Sequence, residues 1–186
     1  IYNYNGSSWV QLGQDIDGEA PGDNSGYSVS LSSDGSTVAI GDPYNNGNGN
    51  SAGHVRIYNY NGSSWVQLGQ DIDGELAWDQ SGYSVSLSSD GNTVAIGARW
   101  NDGAGIGIDA GHVRVYQYNG STWNQLGNDI DGESAYDWSG YSVSLSSDGN
   151  TVAIGAPPIN GNSNGFGYVR IYNYNSTSWS QIGQDI

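Results

Sequence analysis

The chain of 186 residues contains no cysteine, no methionine, no lysine and only one phenylalanine. The absence of cysteine excludes disulfides, thiolate chemistry and cysteine-based zinc sites. No stretch shows a sustained 3.6-residue apolar period, and 30 glycines oppose helix formation, so we predict no helix. No run of 18 apolar residues is present, and we therefore expect no membrane insertion.

Positive charge is scarce, since four arginines stand against 19 acidic residues and give a formal net charge of -15. Nucleic acids and anionic membranes select basic patches, so we expect no nucleic-acid partner. Solubility is the first interpretation of the acidic surface, and divalent cations or a high-salt solvent are the alternatives. The chain begins without methionine and without a signal peptide, which indicates a mature or excised segment.

What the sequence does contain is a repeat of about 56 residues, rich in tyrosine, tryptophan and glycine. The block IYNYNGSSWVQLGQDIDGE begins at Ile1 and Ile57, and related blocks begin at Val115 and Ile171. A second block, SGYSVSLSSDG, begins at residues 25, 81 and 139 and is followed each time by TVAIG. Regular self-similarity of this length is typical of repeat architectures.

Each period contains four segments that alternate with the period of a β-strand, which we label A to D. Examples are Gly82–Ser88 (A), Thr93–Gly97 (B), His54–Tyr60 (C) and Trp65–Ile72 (D). The alternation sets large apolar residues against serine, alanine and glycine, whereas a sheet with one solvated face would carry charged residues there. The pattern therefore predicts sheets packed on both faces, as in the blades of a propeller.

Asp-Gly joins strands A and B, and Asn-Gly joins strands C and D, which predicts tight type I′ hairpins. The predicted fold is all-β, with tandem four-stranded antiparallel blades, β-propeller-like and incomplete as a single chain. We place a partial blade at 1–17 and blades at 25–73, 81–131 and 139–186, with fourteen strands in total. A propeller closes with four to eight blades, so the chain is either a window of a longer protein or completed by other copies.

The order GYSVSLSSDG, TVAIGAP, GHVRIYNYN resembles the FG-GAP repeat of integrin alpha-subunit propellers and of many microbial surface proteins. Part of it, SLSSDGNTVAIG, is also similar to WD-repeat and related blades. The resemblance implies a β-propeller. Many FG-GAP blades carry a calcium loop with several aspartates in the A–B turn. The turn here has a single aspartate, so that calcium site is not expected.

Because antiparallel strands alternate in direction, the D–A and B–C loops lie on one face of the predicted blades. These loops differ between copies and bring aromatic residues to that face. The candidate ligand-binding aromatics are Trp78, Trp100, Tyr136 and Trp138. Aromatic rings beside acids and amides bind sugars by stacking. The interpretation we favour is that they pack against neighbouring loops or a neighbouring molecule.

The motif Asp-Ile-Asp-Gly-Glu recurs where each strand D ends. Its members are the calcium-ligand candidates Asp15, Asp17, Glu19, Asp71, Asp73, Glu75, Asp129, Asp131 and Glu133, with Asp23, Asp79 and Asp137 four residues after each glutamate. Hard cations require several oxygens at short spacing, but the motif lacks the full ligand series of an EF-hand loop. Solvated turn acids are the first interpretation and calcium the alternative, and no cofactor is required.

Strand C carries one arginine in each full period, at Arg56, Arg114 and Arg170, and we predict that each pairs with a repeat carboxylate and locks blade to blade. His54 and His112 share one repeat position, and no Ser-His-acid or metal-His set can be built from them. We therefore expect no enzyme.

Four Asn-x-Ser/Thr sequons recur at the C–D hairpins, at Asn5, Asn61, Asn119 and Asn175. Each is either a glycosylation acceptor or only a turn residue, and the two interpretations weigh equally. The fourth sequon is kept although its turn glycine is lost.

The function expected from the sequence is that of a secreted, extracellular or cell-surface repeat protein with a structural or adhesive role. Its expected partners are other copies of itself in an array or fibre. The alternative is a propeller module that binds carbohydrate or extracellular protein through the variable D–A and B–C loops.

Overall fold

A computed structural model describes residues 1–157 and 166–186, and its regular secondary structure there is β-strand alone, which confirms the predicted all-β class. The strands are β1 (Tyr2–Tyr4), β2 (Trp9–Gln11), β3 (Ser28–Leu31), β4 (Thr37–Asp42), β5 (His54–Tyr60), β6 (Trp65–Gln67), β7 (Ile72–Asp73), β8 (Ser84–Leu87), β9 (Thr93–Ala98), β10 (His112–Tyr118), β11 (Trp123–Gln125), β12 (Ile130–Asp131), β13 (Ser142–Leu145), β14 (Thr151–Ala156), β15 (Tyr168–Tyr174) and β16 (Trp179–Gln181).

These strands form four antiparallel sheets, each built from strands that are consecutive in the sequence. A two-stranded half-blade contains β1 and β2. Blade 1 has the order β3-β4-β5-β6 with β7 also on β5, and blade 2 repeats it with β8 to β12. Blade 3 has the order β13-β14-β15-β16. Each full blade is a four-stranded meander, and the described sheets do not close into a ring.

Strand D is not the continuous strand that the sequence predicted. It breaks into β6 and β7, both paired with β5, because Gly69 adopts a left-handed conformation with φ +70°. The same break in blade 2 gives sixteen strand segments in the described chain rather than fourteen. Leu68 and Ile72 contact the core beside the next blade, whereas Val66 is exposed at the outer edge.

The hairpin turns also differ from the predicted type I′ geometry, which requires positive φ at both central residues. Gly91 has φ +72°, but Asp90 is not in the left-handed region. Asp90 instead acts through its side chain, because its carboxylate accepts hydrogen bonds from the Ser88 hydroxyl (2.6 Å) and the Asn92 backbone N–H (3.0 Å). The aspartate thus stabilises the turn through its side-chain carboxylate and not through a left-handed backbone conformation.

Consecutive blades stack face to face, with the bulky face of one blade on the small face of the blade before it. Between blades 1 and 2 the buried core contains Val85, Leu87, Val94 and Ile96 from blade 2 against Ala39, Val55, Ile57 and Ile72 from blade 1. Equivalent residues of blades 2 and 3 form a second core. The predicted packing on both faces is therefore confirmed for blade 2, and these two junctions contain most of the buried apolar side chains.

Serines on the small face join the inner strands across both junctions. The Ser28 hydroxyl donates to the Gly82 carbonyl (2.7 Å), and the Ser30 hydroxyl accepts from the Leu87 N–H (2.9 Å). Ser84 and Ser86 make the same two bonds to blade 3, at 2.8 and 2.9 Å. Each serine thus pairs a backbone group that would otherwise be buried without a partner.

Glycine is required in strand B because two backbones approach closely at the junction. A Cβ atom on Gly97 would lie 2.1 Å from the Gly140 carbonyl oxygen of blade 3, and one on Gly41 would lie 2.1 Å from the Gly82 oxygen. A backbone carbonyl cannot rotate away from an added Cβ atom as a side chain can. At the matched position of blade 3, a Cβ on Gly155 would meet first the Ser142 hydroxyl, whose serine is exposed.

We expect Gly97→Ala to separate blades 2 and 3 and to lower the free energy of unfolding by roughly 3 kcal/mol. Gly155→Ala should cost less than about 1 kcal/mol, because the exposed serine rotates away. Urea denaturation followed by tryptophan fluorescence measures both variants. Equal losses would show that close packing at the junction does not determine stability.

Candidate functional site

The variable loops are tied to one another by buried aspartates. Asp79 accepts hydrogen bonds from the Asn101 side-chain amide and the Leu76 N–H, both at 2.9 Å. The equivalent Asp23 accepts from Asn45 at 2.9 Å, and Asp137 accepts from the Tyr168 hydroxyl at 2.9 Å. Asp23 and Asp79 thus hold their D–A loops against the B–C loop of the following blade, and Asp137 holds its loop against the first residue of strand C.

Trp100 and Trp138, two of the candidate aromatics, lie close together with ring centroids 6.3 Å apart. Arg99 lies between these two tryptophan rings and the rings of two tyrosines. Its guanidinium lies 3.8, 4.8, 5.1 and 5.7 Å from the ring centroids of Tyr83, Trp100, Trp138 and Tyr141, respectively. The sequence reasoning did not single out Arg99. The sequence feature that could have identified it is that Arg99, unlike the other three arginines, does not occupy the repeat position on strand C.

Trp78 and Tyr136 lie apart from the Arg99 contacts, at equivalent positions of successive D–A loops. Trp78 is 55% exposed and Tyr136 is 40% exposed. Both have left-handed backbone conformations, with φ +77° and +65°, where the first loop has Gly22 with φ +96°. A bulky residue in this region carries backbone strain, and such strain is concentrated at functional positions.

A second feature of the loop face is a pair of histidine–carboxylate clusters, Glu19–His54–Asp71 and Glu75–His112–Asp129. We call them cluster 1 and cluster 2. In each, one ligand atom from each side chain lies within 4.8 Å of the others. The D–A loop contributes the glutamate, the first residue of strand C the histidine, and the break in strand D the aspartate.

A glutamine four residues earlier orients each aspartate of the clusters. The Gln67 amide donates to Asp71 Oδ1 at 2.5 Å, and the Gln125 amide donates to Asp129 Oδ1 at 2.6 Å. The other carboxylate oxygen, Oδ2, then faces the imidazole Nδ1, at 3.9 Å in cluster 1 and 3.7 Å in cluster 2.

The two histidines differ in the strand-B residue that pairs with each of them. His54 Nε2 lies 2.8 Å from Asp42 Oδ2, whereas strand B of blade 2 has Ala98 opposite His112. Burial disfavours the imidazolium, but the hydrogen bond to Asp42 and the charges of Asp42 and Asp71 outweigh it and raise the pKa of His54. Burial, aided by Arg114, lowers the pKa of His112 to about 4.

Blade 3 has a different arrangement at the same position, where Tyr168 replaces the histidine. Arg170 binds Glu133 at 2.7 Å and both oxygens of Asp185 at 2.8 Å. In blades 1 and 2 the equivalent arginines bind backbone oxygens of the preceding blade. Arg56 and Arg114 donate to the backbone carbonyls of Asp17 (2.9 Å) and Asp73 (2.7 Å), respectively.

The arginine locks predicted from the sequence therefore join blades 1 and 2 to their predecessors through backbone oxygens, with a carboxylate contact from Arg114 to Glu75 (3.6 Å), and join blade 3 to its predecessor through Glu133. The contact of Arg56 with Asp42 (3.2 Å) lies within blade 1. The remaining calcium candidates lie outside clusters 1 and 2, and their cation binding stays a prediction. They are Asp15, Asp17, Asp73, Asp131 and Glu133.

The four sequon asparagines are exposed at the C–D hairpins, and their side chains cap the turns. Asn61 Oδ1 accepts from the Ser63 and Ser64 N–H groups, both at 3.0 Å. Asn5, Asn119 and Asn175 make the same pair of contacts. The turn role is thus shown, and glycosylation stays a prediction.

No family model and no curated protein sequence matches this chain. FG-GAP membership therefore stays a hypothesis. Among solved structures, Kuenenia stuttgartiensis hydrazine synthase is similar with a TM-score of 0.53 and 12% identity, over 95% of this chain and 40% of that one. The β-propeller domain of the Trilobed protease from Pyrococcus furiosus is similar with a TM-score of 0.47 and 11% identity, over 84% of this chain and 42% of that domain.

The chain thus spans less than half the length of either similar structure. At this level of identity the likeness concerns the fold alone. The stacked four-stranded meanders place the chain in the class of all-β proteins with propeller-type blades. Within the described residues, none of the secondary structure is a helix that could cross a membrane.

We expect the two histidines to change stability with pH in opposite directions in metal-free buffer. The pKa of His112 in the folded state, about 4, lies below its ordinary value of 6.5, so wild type loses stability relative to His112→Gln as pH falls between these values. The pKa of His54 is raised, so wild type loses stability relative to His54→Gln as pH rises through it. Melting temperatures from pH 4 to 8 test this, and parallel curves for both variants would contradict it.

Proposed function

We propose that this chain is a non-catalytic structural segment that extends an array by packing further blades of its own kind on its two end faces, at a cell surface or in the extracellular space. The observation that carries the proposal is that the end faces repeat the chemistry of the internal junctions. Val29 and Leu31 are 64% and 51% exposed, whereas their equivalents Val85 and Leu87 are 9% and 7% exposed inside a junction.

The half-blade covers only the outer part of the first face. Ile1, Leu12 and Ile16 pack near Val38, Ile40 and Trp65, while the inner strand β3 remains open. A groove of about 550 Å³ runs between the half-blade and blade 1, lined by Ile1, Tyr2, Asp15, Ile16, Asp17, Ser25, Gly26, Val29, Leu31, Val38 and Ile40. An added blade has room to cover these apolar side chains.

The opposite end carries the complementary small face. Ser142 and Ser144 occupy the positions of the serines that join the inner strands at both junctions, and both are exposed on blade 3. Val169 is also exposed there, although the equivalent Val55 and Val113 are buried. We infer that the last blade of one copy packs on the first blade of the next, since these two surfaces match the pair that associates inside the chain.

A non-catalytic role is supported by the regular recurrence of the polar side chains. The motif acids, the strand-C arginines and the capping asparagines recur at fixed positions of the repeat, as architectural residues do. The exposed sequon hairpins are compatible with a secreted glycoprotein, which is part of the same proposal.

We expect the chain to associate with rising concentration, and Leu31→Asp to stop this while leaving the fold intact. The matched variant Leu87→Asp places a charge in the buried junction and should lower the free energy of unfolding by at least about 3 kcal/mol. Sedimentation velocity and thermal melting separate the two effects. A wild-type chain that stays monomeric at all concentrations, or Leu31→Asp association equal to wild type, would overturn the proposal.

The second candidate function, binding of carbohydrate through the loop face, is favoured by the strained and exposed aromatics Trp78 and Tyr136. The Arg99 guanidinium already covers the rings of Tyr83 and Trp100, which leaves Trp78 and Tyr136 as the open stacking surfaces. The left-handed backbone conformations of these two residues lower the stability of the fold. A role of their rings in ligand binding explains why such conformations are retained.

We expect Trp78→Gly and Tyr136→Gly, which copy Gly22 of the first loop, to leave the protein at least as stable as wild type and to abolish binding on a mixed glycan array. Glycine relieves roughly 1 kcal/mol of backbone strain at such a position. Matched arrays and melting curves of wild type and both variants provide the test. Wild type that binds no glycan, or variants that bind as wild type does, would exclude this function.

A further inference from the structure

The histidine–carboxylate clusters are not needed for the blade array proposed above. They lie at the loop face of blades 1 and 2, where each joins a D–A loop to the outer strands of the blade that follows it. We propose that cluster 1 (Glu19–His54–Asp71) and cluster 2 (Glu75–His112–Asp129) are two binding sites for a divalent first-row transition metal, of which Zn²⁺ is the representative.

Cluster 2 carries an observation that points to a ligand independently of its acids. His112 is 1% exposed, and its Nδ1 is buried without a hydrogen-bond partner in the described part of the chain. Buried polar atoms are almost always paired, so an unpaired imidazole nitrogen needs an explanation. It faces Asp129 Oδ2 at 3.7 Å, which is too long for a hydrogen bond but close to the roughly 3.4 Å between two ligands of a tetrahedral zinc ion.

Cluster 1 contains the orienting contact that metal-binding histidines usually make. The hydrogen bond from His54 Nε2 to Asp42 places a proton on Nε2, so in the neutral imidazole the lone pair is on Nδ1, which faces Asp71. A carboxylate behind the imidazole fixes the tautomer and raises the basicity of the ligand nitrogen. Gln67 holds the remaining oxygen of Asp71 from the side.

The donor set selects the type of metal. One imidazole nitrogen and two carboxylates suit zinc and its neighbours, with an open position for water, whereas calcium takes oxygen ligands and more of them. The sites therefore differ in chemistry from the calcium loops considered from the sequence. The glutamates are the exposed members of both clusters, and on metal binding Glu75 gives up its 3.6 Å contact with Arg114.

Blade 3 lacks the metal site at the equivalent repeat position and shows how its two carboxylates are paired instead. Tyr168 supplies no imidazole, and the Arg170 guanidinium occupies the space between Glu133 and Asp185 with contacts of 2.7 and 2.8 Å. A positive charge balances the two carboxylates in either case. In blade 3 Arg170 provides that charge to both carboxylates, whereas in cluster 2 Arg114 contacts only Glu75, at 3.6 Å, and we assign the charge that faces the aspartate and the imidazole to the metal. The expected stoichiometry is therefore two ions per chain.

The experiment is isothermal titration of the full chain with Zn²⁺, after removal of any histidine tag and dialysis against EDTA. Wild type should bind two equivalents, His54→Gln and His112→Gln one each, and the double variant none. Tyr168→Phe, at the matched position, should keep two. Cobalt substitution should give visible absorption bands whose intensity halves in each single variant, and circular dichroism checks that every variant is folded.

Thermal melting gives a readout that does not depend on the stoichiometry. The melting temperature of wild type and Tyr168→Phe should rise with zinc and return with EDTA, because a metal that binds only the folded state stabilises it. Asp129→Asn replaces a ligand without touching the histidine and should also leave one site. Fewer than two equivalents bound by wild type, single variants that bind as wild type does, or calcium that binds the same sites as tightly as zinc would each overturn the proposal.

Discussion

The contact on which the rest of the structure depends is the close approach of two backbones at each blade junction. Glycine in strand B allows the next inner strand to lie against it, and serines on the same face bond to the backbone of that strand. The large side chains of one blade can then fill the space over the small residues of the blade before it. Stability arises between sheets more than within them, as in other repeat proteins in which each unit buries its core against a neighbour.

This dependence on neighbours explains why the two ends differ from the middle. The same Val and Leu that are buried in blade 2 are exposed in blade 1, although the local sequence is nearly identical. A repeat that cannot bury its apolar face alone requires a partner surface on each side. The structural role proposed for the chain follows from that requirement, and so does the matching of its two end faces.

Residues at the loop face differ between the repeats, whereas residues at the blade junctions do not. Single residue differences at the loop face change its chemistry. Histidine in blades 1 and 2 leaves two carboxylates facing an imidazole, whereas tyrosine in blade 3 accompanies an arginine that binds both acids. Asp42 stands behind one histidine and alanine behind the other, which moves their pKa values in opposite directions. One scaffold thus presents three different electrostatic environments at one repeat position.

The sequence by itself determined the all-β class, the period, the four strands of each blade and the two-sided packing, because these depend on alternation and turn residues that are local. It did not determine the break in strand D, which depends on the left-handed conformation of Gly69, or the hairpin geometry at Asp90. Only the tertiary structure joined His112 to Glu75 and Asp129, and Arg99 to Trp138, since strand pairing and loop packing bring together residues that are far apart in the chain. Which copy of a repeated residue is buried was likewise decided by the neighbouring blade, because burial depends on what stands opposite the residue.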